Sequence, residues 1–133
     1  MGIQPPAVRD DHFFDPAAKF HIISNTPYIR YFLANILQYQ LFAGMCESAV
    51  TGRVGDPNFT LKLHNCDIYG SKNAGKRMRS LMSFGSEVGW RDWLRGTTGT
   101  EGINIKALLR YYEPVREWLE LEIQRHRIPV GWN

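Results

Sequence analysis

The sequence lacks most signatures that let a short chain do chemistry unaided. It contains no HExxH, no GxSxG, no phosphate-binding GxxxxGK[ST] loop and no GxGxxG. Its histidines are His12, His21, His64 and His126, and no two stand four apart, as a helical zinc pair requires. Cys46 and Cys66 are its two cysteines, too far apart for a CxxC redox couple and without a second pair for a structural zinc. No metal ligand set is therefore expected. No uninterrupted apolar run is long enough to cross a bilayer; the nearest, after Pro27, is broken by Arg30, Asn35, Gln38 and Gln40. The opening MGIQPPAVRDDHFFD lacks the apolar core of a signal peptide. Met1-Gly2 is a poor myristoylation start, because Pro6 stands where Ser or Thr is needed.

Strong charge of either sign is also missing. Sixteen basic against 13 acidic residues leave +3, too mild to imply nucleic acid. The one basic cluster, KNAGKRMR from Lys72 to Arg79, has no interleaved aromatic residue and reads as a solvated helix face. Nucleic-acid binding through it would show as steep salt dependence.

What the chain does have is apolar mass. Of 133 residues 44% are hydrophobic and 13% aromatic, which excludes disorder and permits one modest domain. So many aromatics in so short a chain suggest a piece of something larger. The stretch KFHIISNTPYIRYFLANILQYQLFAGMC, Lys19 to Cys46, organises the rest. Lys19 to Ile22 reads as a short strand, with Lys19 and His21 on one face. Thr26 is the expected N-cap and Pro27 the first residue of a helix running to about Ala49. That helix carries one formal charge, Arg30, before Glu47, so burial on all sides is expected. Residues 50–66 form a loop. Ser71 caps a helix to about Phe84, and Trp90 to Arg95 is a helical turn ended by Gly96. Asn104 caps a last helix through about Arg125, kinked near Leu109 to Tyr111 by Pro114. The expected fold class is all-α with one short strand.

Lys19, His21, Tyr28, Arg30 and Tyr31 gather at the entrance of the long helix. Tyr28 and Tyr31, three apart, fall on nearly one face, and Arg30 points elsewhere. An ammonium and a phenol can hold a carboxylate, while a histidine and a second phenol can donate to a developing oxyanion. The structural reading stands beside this one: core tyrosines with satisfied hydroxyls, a satisfied histidine, a solvated Lys19, and Arg30 paired with Asp15. Cys46 and Cys66 are open to three readings: a disulfide, a redox couple or two buried thiols. Asn58-Phe59-Thr60 between them is an N-glycosylation sequon, and sequon and cysteine pair together lean towards a secreted, oxidising setting.

FDPAAKFHIISNTPYIRYFLANILQYQLFAGMC is similar to the C-terminal part of the catalytic domain in the angiotensin-converting enzyme family of zinc peptidyl-dipeptidases. The likeness continues through LHNCDIYGSKNAGKRM, Gly89-Trp90-Arg91-Asp92, Tyr112-Glu113-Pro114, Trp118-Leu119 and Val130-Gly131-Trp132. It implies that Lys19 and Tyr28 grip the C-terminal carboxylate of an oligopeptide substrate. It implies further that His21 hydrogen-bonds the substrate and donates a proton, Tyr31 stabilises the oxyanion, and Arg30 binds an activating chloride. A Cys46–Cys66 disulfide is implied as well. The family's zinc ligands and its general-base glutamate lie upstream of this region, so zinc is expected as a cofactor whose ligands are not in this chain. Residues 1–133 are then one incomplete part of a single catalytic domain, a fragment expected to be inactive alone and to self-associate through exposed apolar surface. With no apolar tail after Trp132, a secreted, soluble form is expected. The rival reading is a non-catalytic helical peptide-binding or interaction protein derived from such an enzyme.

Overall fold

The computed structural model describes residues 6–13 and 18–131. Asp15, Met1-Gly2, Pro5 and Trp132 lie outside the described residues. Six α-helices follow in order: α1 (Phe20–Ile23), α2 (Ile29–Thr51), α3 (Lys72–Ser83), α4 (Trp90–Thr98), α5 (Lys106–Tyr111) and α6 (Glu113–His126). A 3₁₀ turn, Leu63–Asn65, lies between α2 and α3. No strand occurs among the described residues. The protein is all-α.

α2 is the axis, and α3, α4 and α5 pack against it. Only its C-terminal half is enclosed, with Gln40, Ala43, Gly44, Met45, Cys46 and Ser48 buried. Residues on two sides of this half serve two cores. Ala43 and Cys46 join Leu63 and Ala107, while Met45 joins Ala74 and Leu81. Met45, Leu63 and Leu94 are at most 2% exposed. Burial of each contributes roughly 1.5–3 kcal/mol of transfer free energy.

Helix ends follow the local chemistry. Ser71 Oγ accepts from the Ala74 amide at 3.2 Å and starts α3, as expected. Gly52 ends α2 in the left-handed conformation, φ 81°, its amide donating to Ser48 O at 3.1 Å. α4 runs past Gly96 and stops at Gly99, which adopts φ 71° and caps Arg95 O. A glycine ends a helix where its φ turns positive, and Gly96 stays helical.

Three expectations are corrected. Lys19 to Ile22 is no strand. The Ile22 amide donates to Lys19 O at 3.0 Å and the Ser24 amide to Phe20 O at 2.9 Å, closing a helical turn. With no neighbouring strand, local hydrogen bonds satisfy this backbone better than an unpaired extended chain could. Thr26 does not cap α2. Its Oγ1 shares a 2.9 Å hydrogen bond with Ser24 Oγ, and Tyr28 is the N-cap without a side-chain cap. The last helix is two helices. Tyr112, at φ −91° and ψ 8°, separates α5 from α6 because Pro114 has no amide to continue the ladder.

The full enclosure expected for α2 is also absent. Residues 29–35 are all exposed. Phe20 is 72%, Ile29 68% and Phe32 62% accessible. α3, α4 and α5 reach only the other end of the helix, so the first two turns of α2 and all of α1 present a bare apolar face.

Candidate functional site

The turn between α1 and α2 builds the site. The Thr26 amide donates to His21 O at 2.8 Å, and Asn25 takes the left-handed φ of 50° that reverses the chain. Asparagine tolerates this conformation better than most residues with a side chain. The reversal lays Tyr28 against His21, with ring centroids 4.9 Å apart and planes tilted 48°. His21, Asn25, Thr26, Tyr28 and Ile29 line a concavity of about 600 Å³. His21 Nδ1 is buried and has no hydrogen-bond partner among the described residues. An unpaired buried nitrogen costs about 1–3 kcal/mol. His64 Nδ1 is likewise buried and without a partner among the described residues.

The other candidates stand close by in sequence but make separate contacts. Lys19 is the N-cap of α1, exposed, and makes no ion pair with a described residue. Its backbone is extended, at φ −101° and ψ 114°, whereas His21 lies within the helical turn, so the alternating strand face is lost. The Tyr31 amide donates to Tyr28 O at 3.1 Å, and the Tyr31 ring is 62% exposed. The Arg30 guanidinium lies 6.0 Å from the centre of that ring, so Arg30 leans towards Tyr31 rather than away from it. The structure thus brings His21 to Tyr28 and Arg30 to Tyr31. Lys19 and Tyr31 do not line the concavity that holds His21 and Tyr28.

The donor set can be tested against the groups the resemblance implies. Among the described residues no three His, Cys, Asp or Glu side chains gather to hold a metal, so the described residues do not fit zinc. Arg30 is exposed and has no carboxylate partner among the described residues.

Cys46 and Cys66 form a disulfide with Cα atoms 6.1 Å apart, which settles the three readings of the pair. The bridge ties α2 to the end of the 3₁₀ turn. Asn58 is exposed in the closed loop, its amide donating to Asp56 Oδ1 at 2.9 Å. The Arg53 guanidinium, then the Asn58 amide, hold the Asp56 carboxyl below its ordinary value.

Three clusters were not anticipated. Gln40 is 2% exposed; its Nε2 donates to Thr100 Oγ1 at 2.9 Å and to Gly102 O at 3.1 Å, and its Oε1 accepts from the Asn104 amide at 3.0 Å. Tyr39 and Tyr112 share a 2.8 Å hydrogen bond between hydroxyls. That bond, then burial, pushes the Tyr39 phenol up. Arg77 donates to Ser48 Oγ and, at 2.5 Å, to Gly96 O, joining the last turns of α2 and α4. Gln40 offered the one clue, a polar residue inside the most apolar run.

These features define the class first: a helical, disulfide-closed chain with a histidine–tyrosine pair at the mouth of an uncovered helix. Comparison with known proteins supplies the family. The family model described as angiotensin-converting enzyme, of the M2 peptidases, matches residues 1–132. The angiotensin-converting enzyme-like protein Ace3 of Mus musculus is 46% identical over 132 residues, 99% of this chain and 17% of that protein. The angiotensin-converting enzyme-related protein of Drosophila melanogaster is 40% identical over 99% of this chain and 21% of its own length. Angiotensin-converting enzyme of Bos taurus is 40% identical over 99% of this chain and 10% of its own length. The chain belongs to the angiotensin-converting enzyme family, and it spans between about a tenth and a fifth of the length of these curated relatives.

Proposed function

We propose that residues 1–133 are the C-terminal part of a single peptidyl-dipeptidase catalytic domain and supply its grip on the substrate's tail. Lys19 and Tyr28 hold the terminal carboxylate of an oligopeptide through a charge-assisted pair and a phenol hydrogen bond. His21 hydrogen-bonds the substrate and donates a proton, and Tyr31 donates to the oxyanion. Arg30 holds an activating chloride. Zinc, bound by residues outside this chain, supplies the activated water, and no step of it is performed here. The chain alone releases no dipeptide. Asn58 carries a glycan, and the parent protein acts in a secreted setting.

The observation that supports this reading most directly is the buried, unpartnered Nδ1 of His21 beside Tyr28, at a concavity with room for a peptide end. The test uses the isolated chain and follows the His21 ring resonances during titration with a short peptide. A free C-terminus is expected to shift them saturably, and the amidated peptide to bind at least about tenfold more weakly through loss of a charge-assisted hydrogen bond. Equal response to both peptides overturns the assignment of a carboxylate grip.

A further inference from the structure

The basic segment that reads as a solvated face is partly turned inward. Asn73, Lys76, Arg77 and Ser80 fall at i, i+3, i+4 and i+7 along α3, one seam of the helix. With Ser48 and Gly96 they line a cavity of about 280 Å³ between α2, α3 and α4. No acidic residue lines it. Arg77 is fixed at its back by hydrogen bonds to Ser48 Oγ and Gly96 O, and it makes no salt bridge with a described residue. Lys76, the side chain of Asn73 and Ser80 Oγ have no partner among the described residues, although all three face this cavity. Gly70 to Lys76 spell G-x-x-x-x-G-K, but α3 already begins at Lys72, so the segment forms no phosphate-cradling loop. Side chains, not backbone amides, are what this cavity offers.

We propose that the cavity between α2, α3 and α4 is a binding site for a tetrahedral oxyanion, sulfate or phosphate, held by Arg77 and Lys76 with Asn73 and Ser80 completing its hydrogen bonds. Two cations without a carboxylate partner leave a positive charge that an anion balances. A guanidinium held in place by two hydrogen bonds keeps a fixed donor plane for a ligand oxygen, so little order is lost on binding. The carbonyls at the ends of α2 and α4 carry partial negative charge and oppose the anion. Arg77 offsets that end charge by hydrogen-bonding Gly96 O through Nη1, and its Nη2, without a partner among the described residues, remains for the ligand with Lys76. This site is separate from Arg30, the candidate for chloride, and from the His21–Tyr28 concavity.

The experiment is a titration of the full chain with sodium sulfate, sodium phosphate and methyl phosphate at constant ionic strength set by sodium chloride. Amide and Arg77 Nε–H resonances report binding. Saturable shifts confined to residues 73–80 and 96–97 are expected for sulfate and phosphate. Methyl phosphate binding as well as inorganic phosphate points to the group presented as an ester on a larger molecule; inorganic phosphate alone points to the free ion. Lys76→Gln, at an exposed position and outside the proposed peptide grip, is expected to weaken binding by about tenfold, and Ser80→Ala by about threefold. Shifts that fail to saturate, spread over the whole surface, or persist undiminished in Lys76→Gln overturn the proposal.

Discussion

Gln40 does at one point what a whole turn of helix would otherwise have to do. Its carboxamide is the only described side chain that hydrogen-bonds α2 directly to Thr100, Gly102 and Asn104 in the connector between α4 and α5. Replacing it with methionine keeps the volume but leaves the Asn104 backbone amide without its acceptor, while the Gly102 carbonyl keeps the Asn104 Nδ2 donor at 3.2 Å. Gln40→Met is expected to lower stability by about 1–3 kcal/mol in urea unfolding, the cost of unpaired buried polar groups. Tyr39 gives a residue-scale prediction with a pH sign. Its folded-state pKa is raised, chiefly by the hydrogen bond with Tyr112. The stabilisation is therefore complete below the ordinary phenol range and is lost as pH rises through the raised folded value. Above about pH 10, Tyr39→Phe is expected to lose less stability with rising pH than the wild type does. Identical alkaline limbs for the two proteins would remove the hydroxyl pair from the account.

At the scale of elements, the crossing of α2 and α4 is set by Gly44. A Cβ there would meet the Thr97 carbonyl oxygen and lie 3.1 Å from Thr98 Cα, both backbone atoms that cannot turn aside. Gly44→Ala is expected to cost about 1–3 kcal/mol through overpacking, despite alanine's better helix propensity. A stabilised variant in thermal or chemical melts would show that the two helices do not approach as closely as described. The Cys46–Cys66 bridge spans 20 residues of sequence. The paired Cys46→Ser and Cys66→Ser variant is expected to lose about 3 kcal/mol, while α3 and α4 keep their helical signal.

How much of this was legible depended on whether the cause was local. Ser71 announces α3, because an N-cap acts within three residues. Pro114 marks a break in the last helical stretch, because the missing amide acts where it stands. The helical turn at Phe20–Ile23 stands where a strand is expected over Lys19–Ile22, since four residues show too little periodicity to separate the two, and the absence of a pairing strand is not a local property. The approach of α4 to Gly44 and the cation-lined seam of α3 were illegible for the same reason: both depend on which helix lies opposite. Of the candidate site, the His21–Tyr28 contact rests on Asn25, whose left-handed turn the sequence only hints at. Lys19 and Tyr31, read as joining that pair, stand outside its concavity.

At the scale of the whole molecule, two halves differ in kind. The C-terminal half of α2 with α3, α4 and α5 has a closed interior, held by the disulfide and the Gln40 contacts. α1, the start of α2 and the outer face of α6 do not, with Ile29 68%, Leu121 59% and Trp118 58% exposed. Exposed apolar surface of this kind favours association. The candidate residues Lys19, His21, Tyr28, Arg30 and Tyr31 all lie at this uncovered end. A grip placed at a surface where another body docks is what the proposed division of labour requires: this chain holds the peptide's tail, and the docked body brings the metal.

The most direct test is reconstitution. Angiotensin-converting enzyme of Bos taurus, first checked for dipeptide release when intact, is expressed without the region that matches this chain and mixed with it. Dipeptide release is then measured with zinc and chloride present. Activity is expected only when both pieces are present, and Lys19→Ala in this chain is expected to raise KM about tenfold or more through loss of a charge-assisted contact with the carboxylate. Dipeptide release by this chain alone, or a reconstituted activity whose KM ignores Lys19→Ala, contradicts the account.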